Sequence, residues 1–228
     1  MIELEAVSFG YPHRQSPSQL LLREVTLTLA EQRIGIIGAN GSGKSTLARL
    51  LNGLLTPTSG RVLVRGHDTV RQQKLVRRDV GFVFQDPDLQ IIMPTVAEDL
   101  AFGLRRLGLP KDEVARRVDA QLARHGLSDH RDHPAHLLSG GQKQLLAIAA
   151  VLVTEPSILV MDEPTTLLDL RNRRAVMALV ADLPQQVVLV THDLEVLADF
   201  DRVVVIDEGR VAADGAPGEA IAAYRALV

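Results

Sequence analysis

The 228-residue chain has no cysteine, which rules out disulfides and thiolate chemistry. It also lacks a long apolar run. The longest, residues 145–153, is nine residues, against roughly 20 for a helix that spans a bilayer, so the chain is not expected to cross a membrane by itself. The first residues, Met1-Ile2-Glu3-Leu4-Glu5, are acidic and alternating. They offer no basic stretch followed by an apolar one, so no secretion signal is expected, and a cytoplasmic location is. An excess of positive charge is missing as well. The 25 Lys and Arg are outnumbered by 28 Asp and Glu, for a net charge of −3, which leaves no electrostatic footprint for nucleic acid. What is present is ordinary for a globular α/β protein: 46% hydrophobic and 23% charged residues. The length suits one large domain, or one domain with an inserted subdomain. No internal repeat or low-complexity segment occurs.

Residues 2–9, 24–29 and 61–65 alternate apolar with polar and are predicted strands. Residues 34–37 form a short apolar strand that runs straight into glycines. Residues 47–53 continue a helix, closed off by Pro57 and Gly60. Residues 80–84 are β-branched and aromatic, a further strand. From 95 to about 127 the pattern is helical, broken at Gly108 and Pro110. Residues 158–161, 187–190 and 203–206 are short, wholly apolar runs, which suit central strands of a parallel sheet covered on both faces. Helical stretches alternate with them, as in βαβ units. Residues 207–210 read as a hairpin turn into a strand at 211–213.

Gly38-Ala39-Asn40-Gly41-Ser42-Gly43-Lys44-Ser45 matches G-x-x-x-x-G-K-[ST], and Thr46 follows it. The flanks are those the motif requires, an apolar strand before and a helix after. Glycines let the backbone wrap phosphates closely, and the helix N-terminus favours anions. Lys44 can reach the β- and γ-phosphates, and the Ser45 hydroxyl can ligand Mg2+. The loop alone does not name the reaction. Residues 158–163 add an apolar strand ending in Asp162 and Glu163. Asp162 would assist Mg2+, and Glu163 is placed to polarise water against the γ-phosphate.

Leu138-Ser139-Gly140-Gly141-Gln142 is the most specific string in the chain. Ser139 is a good N-cap, and the open end of the helix that follows is a ready anion site. The string resembles the signature of ABC ATPases, and the resemblance covers residues 9–215. It implies an α/β, P-loop NTPase fold spanning residues 1–228 as a single ABC ATPase domain. Within it, a mostly parallel central sheet carries an N-terminal antiparallel β subdomain (about 1–33 and 60–70) and an inserted α-helical subdomain (about 87–140). The signature of one subunit would close on the ATP held by a second, so Ser139, Gly140, Gly141 and Gln142 would contact the partner's nucleotide. Tyr11 matches the aromatic that stacks on adenine, Gln85 the glutamine that senses Mg2+ and water, and His192 the switch histidine at the γ-phosphate. Asp169 matches the aspartate at the subunit interface. One departure stands beside it: Leu167 occupies a position where the family often has a small residue.

The stretch 84–91, with 95–103, resembles the ATPases of energy-coupling-factor (ECF) importers. That resemblance implies that a short helix carrying Asp88 and Gln90 docks on a transmembrane coupling protein, itself paired with a substrate-binding membrane protein. The expected place of work is the cytoplasmic face of the cell membrane, with biotin the first cargo and cobalt or nickel the second. Competing classes are a soluble ABC ATPase acting on nucleic acid or ribosomes, and a nucleotide-binding module that does not hydrolyse; the ATPase of another ABC importer or exporter is a further alternative. Acidic balance speaks against the first, and Glu163 and His192 against the second. Two patterns are read as structural. His130, His133 and His136 lie in a loop interrupted by Pro134 and are expected to be solvated rather than metal-binding. The basic residues between 71 and 78 are expected to form an exposed helical face.

Overall fold

The computed structural model describes residues 1–11 and 20–227. In chain order these form β1 (Ile2–Phe9), β2 (Leu22–Leu29), β3 (Arg33–Ile37), α1 (Lys44–Leu51), β4 (Ser59–Val64), β5 (His67–Asp68), α2 (Gln73–Asp79) and β6 (Val80–Val83). Next come α3 (Val96–Leu104), α4 (Lys111–Arg124), α5 (Gly140–Leu152), β7 (Ile158–Asp162) and α6 (Leu170–Ala181). The chain closes with β8 (Gln186–Val190), β9 (Arg202–Asp207), β10 (Arg210–Gly215) and α7 (Pro217–Leu227). Two compact units emerge, Met1–Val80 with Ser157–Glu163 and Pro184–Val228, and Gly81–Pro156 with Pro164–Leu183.

The first unit holds two sheets. One is antiparallel, in the order β2-β1-β4-β5. Its alternating residues do what the sequence pattern requires: Ile2 and Leu4 are buried and pair with Leu29 and Leu27 of β2. The β1–β4 register slips between Glu5 and Ser8. There Ala6 and Gly60 adopt positive φ of 46° and 77°, the mark of a bulge. Gly60 therefore lies inside β4 rather than ending the preceding segment, and the strand begins at Ser59, two residues before the predicted start.

In the other sheet the strands of this unit follow in the order β10-β9-β3-β8-β7. β3 pairs parallel with β8 and β9, and β7 with β8, while β10 runs antiparallel to β9. Ile34, Ile36, Leu159, Val160, Val188 and Val204 are fully buried. This is why these strands read as unbroken apolar runs. Parallel pairing has a second consequence. The C-terminal ends of β3, β7 and β8 lie side by side, the edge at which parallel sheets bind ligands.

The second unit is helical. Val96, Leu100 and Leu104 of α3, Val118 and Leu122 of α4, and Leu146, Ala149 and Val153 at α5 share one buried cluster. α3 starts with a full capping box between Thr95 and Glu98. The helical pattern breaks where predicted, with Gly108 in the left-handed region at φ 63° and Pro110 immediately before α4. The segment between α4 and α5 is tied to α3 by backbone bonds, Val96 N–H to His133 O at 3.3 Å and Ala97 N–H to Arg131 O at 2.9 Å. Asp99 is buried and accepts the N–H groups of Ile92 and Met93 at 2.9 and 3.0 Å. Burial raises its pKa, against those two bonds.

Candidate functional site

β3 delivers the chain into the glycine loop. Gly38 has φ 152°, and a Cβ there would fall 2.0 Å from the Ile206 carbonyl oxygen of β9, so no side chain fits. Gly43 is the N-cap of α1, at φ 109° and with no side-chain cap. The first N–H groups of α1 are thus left for a ligand, at the end of the helix that carries roughly half a positive charge. Asn40 and Gly41 are exposed at the loop tip, and Thr46 is buried within α1. Lys44 folds back, its Nζ donating to Gly38 O at 2.8 Å and Ala39 O at 2.9 Å. Burial lowers its pKa, while Glu163 and Asp162 pull the other way. The Ser42 hydroxyl is buried without a hydrogen-bond partner among the described residues. A buried donor left open in a loop of this shape fits an anionic ligand.

The acids come from the neighbouring strands. Asp162 ends β7, and its Oδ1 accepts the Ser45 hydroxyl at 2.8 Å. Its Oδ2 lies 3.8 Å from Arg49, one helical turn beyond Ser45. Burial raises the Asp162 pKa, opposed by the Ser45 bond and by Arg49. A hydroxyl and a carboxylate in contact are hard oxygen donors that fit Mg2+. Glu163 leaves the sheet at once, with φ 52°, and its N–H is held by Val190 O at 2.9 Å. Its Oε2 lies 2.8 Å from His192 Nδ1, with the Glu163 side chain 12% exposed and His192 59%. A carboxylate oriented by a histidine beside a phosphate loop can polarise a water. Tyr11 follows β1, exposed, its ring edge-on to Phe9 at 5.1 Å.

The remaining predicted residues belong to the second unit. Gln85 follows β6 and is exposed. Ser139 caps α5 through a complete box: its hydroxyl accepts from Gln142 N–H at 3.3 Å, and Gln142 Oε1 accepts from Ser139 N–H at 2.9 Å. Gly140 faces open space, whereas a Cβ on Gly141 would lie 2.3 Å from the Asn172 side chain of α6. Asp88 pairs with Lys143 of α5 at 2.7 Å. Gln90 uses both ends of its amide, accepting from Phe84 N–H at 3.2 Å and donating to Ala147 O at 2.7 Å. The Asp88–Gln90 segment is therefore strapped to the signature helix. Asp169 caps α6, accepting from Asn172 N–H at 2.8 Å, and Leu167 beside it is 68% exposed.

Sequence reasoning missed three groups. Arg49 could have been found, since residue i+4 from Ser45 shares its helix face. The buried carboxylate of Asp99 carried no signal in its surroundings. His130 was expected to be solvated and is not. It is half-buried, with its Nε2 3.0 Å from Gln142 Nε2. Packing of the 128–137 segment onto α3 and α5 carries it there. Among the described residues, no group of three His, Cys, Asp or Glu could hold a metal ion.

A phosphate loop between a parallel strand and an uncapped helix, with acids on the adjoining strand ends, defines a P-loop nucleoside triphosphatase. Residues 22–166 match the ABC transporter family model, and the chain belongs to that family. It is an ABC-type ATPase, the ATP-binding subunit of an ABC transporter. The chain is 51% identical over 225 residues to the biotin transport ATP-binding protein BioM of Rhizobium etli, covering 99% of this chain and 97% of that one. It is 44% identical over 226 residues to the energy-coupling factor transporter ATP-binding protein EcfA1 of Caldanaerobacter subterraneus subsp. tengcongensis, covering 96% and 82%. Among solved structures it resembles cbiO1 from Clostridium perfringens, part of the ABC transporter complex cbiONQ, with a TM-score of 0.85, 36% identity and coverage of 97% and 90%. It also resembles the dimeric post-hydrolysis state of the cassette MJ0796 bound to ADP and Pi, with a TM-score of 0.83, 29% identity and coverage of 95% and 99%.

Proposed function

We propose that the chain is the ATPase of an energy-coupling-factor importer. Two copies, or this chain and a close homologue, work beneath a transmembrane coupling protein on the cytoplasmic face of the membrane. A separate membrane protein binds the cargo, with biotin first and cobalt or nickel second. The relatedness to BioM, EcfA1 and cbiO1 supports this reading. No described helix is long and apolar enough to cross a membrane.

The observation that carries the chemistry is the Glu163–His192 contact at the end of adjacent strands. Residues 38–46 take the phosphates of ATP, with Tyr11 on the adenine. Lys44 exchanges the Gly38 and Ala39 carbonyls for phosphate oxygens. Ser45 and Asp162, in contact at 2.8 Å, would hold Mg2+, which would supply charge neutralisation on the phosphates, and the family resemblance adds Gln85. Glu163 polarises the attacking water, and His192 holds its carboxylate and meets the γ-phosphate. Phosphoryl transfer is mostly positioning and charge stabilisation. Ser139, Gly140, Gly141 and Gln142 of the partner copy complete the site, with Asp169 and Leu167 at the seam. Movement passes to the coupling protein through the segment that carries Asp88 and Gln90.

Glu163→Gln is expected to bind ATP, lose turnover and run as an ATP-dependent dimer in gel filtration. Normal turnover in that variant overturns the mechanism. Co-purification from detergent extract is expected to bring down a transmembrane partner. Uptake of labelled biotin against cobalt and nickel by vesicles holding that complex tests the cargo.

A further inference from the structure

We propose that His130 is a positioning residue for the signature helix: its neutral imidazole holds the Gln142 side chain in place and so keeps the Ser139 cap closed. The proposal rests on the reading of Ser139–Gly141 as the face offered to a partner's ATP.

The atoms leave one assignment. A backbone N–H only donates, so the Gln142 atom 2.9 Å from Ser139 N is the oxygen. The other end of that amide is an NH2 group, also only a donor. It lies 3.0 Å from His130 Nε2, which must therefore offer a lone pair. His130 is thus neutral with its proton on Nδ1, an atom that is buried without a hydrogen-bond partner among the described residues. The chain of contacts runs from His130 through Gln142 to the Ser139 backbone, while the Ser139 hydroxyl answers through Gln142 N–H at 3.3 Å. An imidazolium would set an N–H against the NH2 of Gln142. Gln142 would then have to turn away, taking its oxygen from Ser139 N–H and opening the cap.

The charged neighbours do not remove this sensitivity. The His133 ring stacks edge-on at 5.6 Å. Asp129, Arg131 and Asp132 flank His130 in its own segment, and Arg131 is paired with Asp119 of α4. On α3, Glu98 is held by Thr95, and Asp99 is buried under two backbone N–H groups. On α5, Lys143 is paired with Asp88.

The test compares ATP turnover by the full-length chain as a function of pH for wild type, His130→Gln and His130→Lys, with nucleotide affinity measured alongside. Glutamine can present an acceptor oxygen and does not titrate, whereas lysine presents only donors. His130→Lys is expected to lower kcat about fivefold, the worth of one hydrogen bond, with KM for ATP unchanged. His130→Gln is expected to match wild type, because its amide oxygen can supply the acceptor that Nε2 supplies. Identical profiles for the three proteins overturn the proposal. Imidazole nitrogen chemical shifts in the intact chain give a second arm that needs no variant to fold: a bare Nε2 and a protonated Nδ1 are expected, and the opposite tautomer overturns it. Full turnover in Ser139→Ala would instead sink the reading of the signature, a result separable from the tautomer.

Discussion

Helix α1 opens on Gly43 with no side chain closing its first turn, whereas α5 opens on Ser139 with both halves of a capping box in place. Both ends carry the same partial positive charge, and glycines stand at both, Gly43 at the cap of α1 and Gly140 and Gly141 in the first turn of α5. α1 gives up a cap worth about 1 kcal/mol and keeps its N–H groups for a ligand. α5 is finished locally, so an anion must compete with Ser139 and Gln142 for it. The first end is built to bind within one chain. In the proposed function, the second waits for the nucleotide of a partner copy.

Substitutions can break this contrast. The largest effect is expected at the glycines. Gly38→Ala drives a methyl into the Ile206 carbonyl oxygen, so it should abolish nucleotide binding and cost about 3 kcal/mol of stability. Gly140→Ala meets nothing within 4 Å, so thermal unfolding and nucleotide binding by the isolated chain should match wild type while turnover falls. Equal behaviour of the two variants in a binding titration would erase the distinction. Next comes Lys44→Ala. Loss of a charged donor should weaken ATP binding by about 10- to 100-fold, read by isothermal titration.

A smaller change, of opposite sign for stability and activity, is expected of Asp162→Asn. Burial holds the Asp162 pKa above its usual value. Its favourable contribution is therefore present only below the unfolded-state pKa, and is lost as pH rises through the folded-state value. At neutral pH the asparagine variant should melt at a higher temperature than wild type, with the gain vanishing in acid, yet lose Mg2+-dependent turnover. Melting curves of both proteins across pH check the sign. The smallest effect belongs to Gln142→Ala, which removes half of the capping box. It should cost about 1 kcal/mol in chemical denaturation and leave ATP binding by the isolated chain unchanged. A loss of binding there would mean that the two helix ends are not independent.

What the sequence made legible follows from burial and chemistry. Residues 158–161, 187–190 and 203–206 read as central strands because both faces are covered and nothing polar interrupts them. Lys44 and Ser45 could be placed at a helix start because their motif fixes the backbone. Gly60 misled, since a glycine in a bulge and a glycine in a turn look alike in one dimension. The amide of Gln90 was legible as a polar residue near a functional loop. Its two bonds within the unit were not, because Ala147 is 57 positions away. His130 was lost for a related reason, its loop being folded back by backbone contacts that carry no residue preference.

The left-handed backbone of Glu163, at φ 52°, sets stability and activity against each other at a single codon. A side chain in that conformation costs about 1–2 kcal/mol, and glycine relieves it. A library of variants sorted by heat resistance should therefore enrich Glu163→Gly, while the same library sorted by phosphate release should discard it. Thermostabilisation of this scaffold by selection on folding alone would converge on a robust protein with no motor.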